Sequence, residues 1–110
     1  MNSRQVIRHT YEEAQEAFHK HCVVRNLSER TINYYKEDLD FFHSKVPVKY
    51  IDEVNQEAFD DFIFRELEAG KKANSLNTRI RGLRVFFKFC VEREYMEPID
   101  AKLLKTDSKC

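Results

Sequence analysis

The sequence predicts an all-α domain of four helices. Three observations carry this. Apolar residues recur at helical spacing in four separate stretches, each with its own start or stop signal. Only two Gly and two Pro occur in 110 residues, too few for the turns of an all-β fold. The one stretch that alternates, residues 46–51, is interrupted by Pro47.

The first helix is expected over 10–25. Thr10 and Glu13 have the spacing of a capping box, in which each side chain satisfies the other's free backbone N–H. Tyr11, Ala14, Phe18 and Cys22 then share one face. Ser28 opens the second helix, expected over 28–44. Leu27 and Ile32 form a hydrophobic staple across that cap, and Ile32, Tyr35, Leu39 and Phe42 form the stripe. Pro47 forces the exit, because the residue before a proline is pushed out of helical geometry. Asn55 caps the third helix, expected over 55–69, with Val54 and Phe59 as its staple. Phe59, Phe62, Ile63 and Leu67 should face the core, and Gly70 is the natural stop. The fourth and longest helix is expected over 73–94. Leu76, Ile80, Leu83, Phe87 and Cys90 line one side, with Phe86 and Val91 on its flanks. The chain reads as a flexible tail over 1–9, one domain over 10–97, and a polar extension over 98–110.

Composition narrows the function. With 42% hydrophobic residues, nine Phe and five Tyr, the chain can build one compact core. The two glycines, Gly70 and Gly82, are too far apart for a phosphate-cradling loop. No run of 18 apolar residues spans a membrane, and the polar N-terminus is not a secretory signal. Three cysteines without a CxxC pair fit a reducing cytosol. Cys22 and Cys90 read as small core residues and Cys110 as an exposed bystander. His19 and His21 are two apart and diverge on a helix, and His9 and His43 have no evident partner, so no metal site is expected. Glu66 and Glu68 have no His or Cys arranged with them and read as a solvated acidic face. No cofactor is implied.

Charge is sorted although it sums to zero. Residues 52–68 hold seven acids and one base, a net of −6, whereas residues 71–93 hold seven bases and one acid, a net of +6. On the fourth helix Asn74, Asn77, Thr78, Arg81, Arg84 and Lys88 fall opposite the apolar stripe, with Lys71 and Lys72 just before them. Arg79 falls nearer the apolar edge, where its stem can pack. Such residues on an exposed helix contact phosphates and base edges. A solvated face, or ion pairing with the acidic third helix, accounts for the same charges. The second helix adds Arg30, Thr31 and Tyr34 at its N-terminal turns, a ready phosphate site.

Several segments together resemble a known family. Asn26-Leu27-Ser28-Glu29-Arg30-Thr31-Ile32, followed by Tyr35, Asp38-Leu39 and Phe42, resembles the second helix of the core-binding domain of tyrosine recombinases, the phage-type integrases. Residues 51–70 have that family's acidic amphipathic pattern ending in Gly. Residues 73–89 are similar to its fourth helix, with Ser75, Leu76, Asn77, Arg79, Leu83, Arg84, Phe86, Phe87 and Phe89 at motif positions. Glu97-Pro98 stands where Asn-Pro is usual. A small polar residue often caps the family's fourth helix where Lys72 stands here. Either Asn74 caps a shorter helix, or Lys72 contacts a phosphate without capping.

The resemblance implies a SAM-like four-helix orthogonal bundle, the DNA-binding half of a clamp that closes on duplex DNA at a crossover site. The second and fourth helices would face the DNA. Implied partners are double-stranded DNA and other recombinase protomers in a synaptic complex, with no membrane, and the fragment alone would be monomeric. It would act in a bacterial cytoplasm, at the nucleoid. Chemistry would belong to a C-terminal domain, for which residues 98–110 look like the start of a linker. Tyr11, Tyr34, Tyr35, Tyr50 and Tyr95 are then not nucleophiles. The competing reading is a helical protein–protein module without DNA binding. A small repressor would need a tight helix-turn-helix, and the connection around Gly70 leads into a long helix instead.

Overall fold

In the computed structural model, which describes residues 7–106, the helices are α1 (Tyr11–Val24), α2 (Glu29–Lys45), α3 (Gln56–Glu68) and α4 (Ala73–Glu92), with a short 3-10 turn at Ile51–Glu53. Residues 1–6 of the expected tail, and Lys109 and Cys110 of the extension, lie outside the described residues. Thr10 and Glu13 close the capping box on α1. The Ser28 side chain accepts from the Thr31 N–H on α2, and Asn55 from the Ala58 N–H on α3. Lys72 occupies the N-cap of α4 with no side-chain cap bond, so Asn74 lies inside the helix rather than capping it. Among the described residues, β-type pairing is confined to one isolated bridge between Thr10 and Tyr50.

Three helices end in the same way. After α1, α3 and α4 the chain turns through a positive φ, at Asn26 (61°), Gly70 (93°) and Glu94 (62°). Each turn carries the two backbone bonds of a Schellman motif, as in Lys71 N–H to Glu66 O and Gly70 N–H to Leu67 O, both 3.0 Å. Gly adopts this conformation at no steric cost and Asn at little, but Glu94 has a Cβ that crowds the following carbonyl.

The core is an aromatic stack around α4. Phe86 lies 5.4 Å from Phe18 of α1, and Phe87 lies 5.6 Å from Phe42 of α2 and 6.0 Å from Phe59 of α3. One ring face of α4 thus touches every other helix. The Tyr11 hydroxyl donates to the Leu39 carbonyl at 2.9 Å, tying α1 to α2 without leaving a buried polar atom unpaired. Leu39, Phe42, Phe62, Leu83 and Phe87 are all buried.

In the packing of the body, the structure corrects the sequence reading at four places. Phe86 is fully buried rather than a flank. Leu67 is exposed rather than core, because no helix covers that end of α3. Glu66 is not on a solvated face. It is 4% exposed, with Lys71 Nζ at 3.4 Å and Lys45 Nζ at 3.8 Å. The polar extension is packed on the body as far as it is described. Ala101 is buried and Ile99 and Leu104 lie against the core, so residues 97–106 form a strap along α3 and α4.

The α2–α4 contact is close at Gly82. A Cβ on Gly82 would run into the Asp38 carboxylate. Asp38 is 3% exposed, and its Oδ1 accepts from Arg79 Nη1 at 3.0 Å. The Arg79 guanidinium lies over the Phe41 ring, 3.9 Å from its centroid. Asp38 Oδ2 has no hydrogen-bond partner. Burial pushes the Asp38 carboxyl up to about 6, although Arg79 opposes the shift.

Three outcomes follow. Gly82→Ala should cost about 1–3 kcal/mol in a denaturant titration, the range for forcing atoms into a packed contact. A raised carboxyl pKa means the folded state holds this proton more tightly than the unfolded state. Ionised Asp38 therefore weakens the fold as pH rises from about 4 to about 6, and the penalty persists above that. The stability of Asp38→Asn minus that of the native chain should grow by roughly 1–3 kcal/mol between pH 4 and pH 7. A flat difference would show that the carboxyl titrates normally. Glu94→Gly should raise stability by about 0.5–1 kcal/mol, by relieving the left-handed backbone.

Candidate nucleic-acid interface

Two contacts fix how α4 is turned about its own axis. Gly82 faces α2, and Asn77 faces the strap. At 100° per residue these two directions are about 140° apart, and the strip between them is open to solvent. Asn74, Thr78, Arg81, Val85 and Lys88 lie on or beside it, all exposed, and Arg84 is exposed on its strap side. The Thr78 hydroxyl donates to the Asn74 carbonyl at 3.3 Å.

Among the described residues, Lys72, Arg81, Arg84 and Lys88 have no carboxylate within ion-pair distance. The same holds for Glu57, Asp60, Asp61 and Glu68 on α3. The oppositely charged helices therefore do not neutralise each other. They meet through aromatic rings, and each carries its charge outward on a different face. Among the described residues, ion pairing between the acidic and basic segments is confined to Glu66 with Lys71, at 3.4 Å.

The sequence-predicted site residues divide. Asn74, Thr78, Arg81, Arg84 and Lys88 are exposed on α4, and Lys72 is exposed at its start. On α2, Arg30 and Tyr34 are exposed and Thr31 is half-buried, its hydroxyl accepting from Ser28 at 3.0 Å. Arg30, Tyr34 and Asp38 form an i, i+4 row, and Asp38 is the residue that meets Gly82. Lys71 is engaged elsewhere, its ammonium near Glu66 and over the Phe41 ring.

Asn77 is a correction. It is 6% exposed and does not belong to the open face. Its Nδ2 donates to the Leu104 carbonyl at 3.0 Å, and its Oδ1 accepts from the Leu104 N–H at 2.6 Å. Gln56 of α3 holds Asp100 in the same manner, with bonds of 3.0 and 2.6 Å. Sequence reasoning missed both clamps, since a lone amide on a helix edge carries no signal of a backbone partner far along the chain. Between the strap and α4 lies a cleft of about 700 Å³, lined on α4 by Arg81, Arg84, Val85, Lys88 and Glu92 and on the strap by residues 98–102.

The open face of α4 carries cations beside amide and hydroxyl groups. Tyr11 is buried and its hydroxyl is raised by desolvation. Burial likewise pushes the Cys90 thiol up to about 12. Among the described residues, no three His, Cys, Asp or Glu side chains gather as a metal site would require. No described helix is long and apolar enough to cross a membrane. A second cleft, between α1 and α2, is lined by Glu12, Glu16 and Asp40 together with His19, Lys36 and His43, a mixed set of charges.

The backbone is similar to the crystal structure of the N-terminal domain of a phage integrase/site-specific recombinase from Haloarcula marismortui. The TM-score is 0.71 at 12% identity, over 84% of this chain and 90% of that one, a likeness of fold. No curated protein matches the sequence. The family described as phage integrase, N-terminal SAM-like domain, matches residues 16–94, from within α1 to the turn after α4. With four helices in that order, the chain belongs to the phage integrase N-terminal SAM-like domain family.

Proposed function

We propose that this domain binds duplex DNA through the open strip of α4 and the first turns of α2. It serves as the DNA-contacting half of a clamp in a site-specific tyrosine recombinase. The observation that carries the reading is the set of unpaired cations, Arg81, Arg84 and Lys88, on one exposed face. Three cations left unneutralised in a chain with equal numbers of acids and bases repel one another, and a phosphate backbone relieves that. Asn74 and Thr78, uncharged and beside them, are suited to base edges or phosphate oxygens. Arg30 and Tyr34 extend the contact from α2, and Lys72 extends it at the start of α4.

Strand cleavage and rejoining belong, on this reading, to the catalytic domain of the recombinase, and other protomers join in the synaptic complex. A protein–protein role is favoured by one separate observation. Phe64, at 60% exposure, and Leu67 are uncovered on acidic α3. That face is not the α4 strip, so it adds a partner surface rather than replacing the DNA reading.

Binding should be weak and steeply salt-dependent, because zero net charge gives little long-range attraction. If three or four cations neutralise phosphates, log K should fall with log salt at a slope of roughly −3. Arg81→Ala should flatten that slope by about 1, and Arg65→Ala, on α3, should leave it unchanged. Absence of duplex binding at low salt, or amide shifts on Asp60, Asp61 and Glu68 rather than α4 in an NMR titration, would refute the reading.

A further inference from the structure

The strap is held by its main chain. Gln56 and Asn77 each grip one residue, Asp100 and Leu104, through both its N–H and its carbonyl, as a neighbouring β-strand would. Ala101 between them is buried. Two double clamps four residues apart fix both the position and the rotation of the segment. Because the grip uses backbone atoms, the side chains of Asp100 and Lys102 are left over. They are exposed, 3.6 Å apart, and both line the cleft whose opposite wall carries Arg81, Arg84 and Lys88, with one acid, Glu92, beside them.

From this geometry we infer that the strap is the second wall of the DNA track, set in place by Gln56 and Asn77. Lys102 reaches a phosphate there, and the Asp100 carboxylate opposes it. The inference rests on the DNA reading above and names residues that reading does not use. Asp100 and Lys102 form an exposed pair, weak in water, so a phosphate can take over the ammonium. The carboxylate then faces the phosphodiester without its direct ion-pair partner, and limits affinity for any duplex regardless of sequence. Gln56 and Asn77 are positioning residues and touch no DNA themselves.

The test uses the 110-residue chain and a fluorescein-labelled duplex of random sequence, read by anisotropy across a salt series. Lys102→Ala should weaken binding roughly threefold at low salt and flatten the salt slope by about 1. Asp100→Asn keeps the backbone clamp and should strengthen binding by a similar factor. Asp61→Asn and Arg65→Ala, equal charge changes on α3, report the effect of net charge alone. In an Asn77→Ala background the Leu104 amide should exchange faster, and Lys102→Ala should have no further effect on binding, a coupling that destabilisation alone does not produce. If Asn77→Ala fails to fold, the two charge variants still decide, since neither touches the clamps. If Arg81→Ala weakens binding while Lys102→Ala and Asp100→Asn match the α3 controls, the strap is not part of the track and the DNA reading stands. If the native chain binds no duplex, both fall.

Discussion

The approach of α2 to α4 at Gly82 sets what the rest of the molecule can present. Only a residue without a side chain lets the Asp38 carboxylate sit against the α4 backbone. That carboxylate in turn holds Arg79 at 3.0 Å and lays its guanidinium on Phe41. The contact is costly, since a nearly buried carboxylate keeps one oxygen unpartnered. What it secures is rotation. Aromatic packing already limits how α4 can turn, because protein interiors are close-packed. A carboxylate that fits only over a glycine allows one setting, and that setting decides which cations of α4 reach solvent.

Charge segregation depends on the same arrangement. The acidic third helix and the basic fourth meet through Phe59 and Phe87, so their charged faces point apart. Glu66 is the exception that turns inward, and it is met by Lys45 from α2 and Lys71 from the loop before α4. These ammonium groups also lie over the Phe41 ring, which makes Phe41 the apolar floor of a small ionic cluster. Every buried carboxylate thus has a cation, and the cations without one lie on the exposed surface. A field of this kind is short-ranged, because at physiological salt the zero net charge leaves only the local patch within a Debye length.

What the sequence disclosed follows from how local each feature is. The caps at Thr10, Ser28 and Asn55 and the stripes they precede depend on residues three or four apart, and these stand in the structure as read except for Leu67 at the end of the third stripe. Gly82 entered the sequence reading only as too far from Gly70 for a phosphate-cradling loop, and its close approach to Asp38 was not foreseen. Asn77, Glu66, Leu67 and Phe86 were misplaced for one shared reason. Each sits at the edge of a stripe, where exposure is decided by what packs alongside. Asn77 is covered by a strap with no periodicity, Glu66 is enclosed by lysines from two other segments, and Leu67 is left open where no helix arrives. Of the candidate site, the cationic face was legible from its spacing on one helix. The clamps joining α3 and α4 to residues 100 and 104 were not, since nothing local links them.

Holding the strap by its backbone has a consequence for the surface beside it. A segment held by side chains must keep those side chains, whereas one held through N–H and carbonyl groups constrains only the shape of its main chain and its small buried residue, here Ala101. Positions 100 and 102 then carry charge toward the cleft without contributing to the grip. Charge along this wall can change by one or two units with little effect on the fold, because exposed pairs contribute little to stability. The same change acts fully on a polyanion in the cleft, where each neutralised or repelled phosphate enters the salt-dependent part of binding. The α4 strip is different in kind. Its cations stand on a helix whose rotation is set by Gly82 and Asp38, so altering that setting moves every contact together.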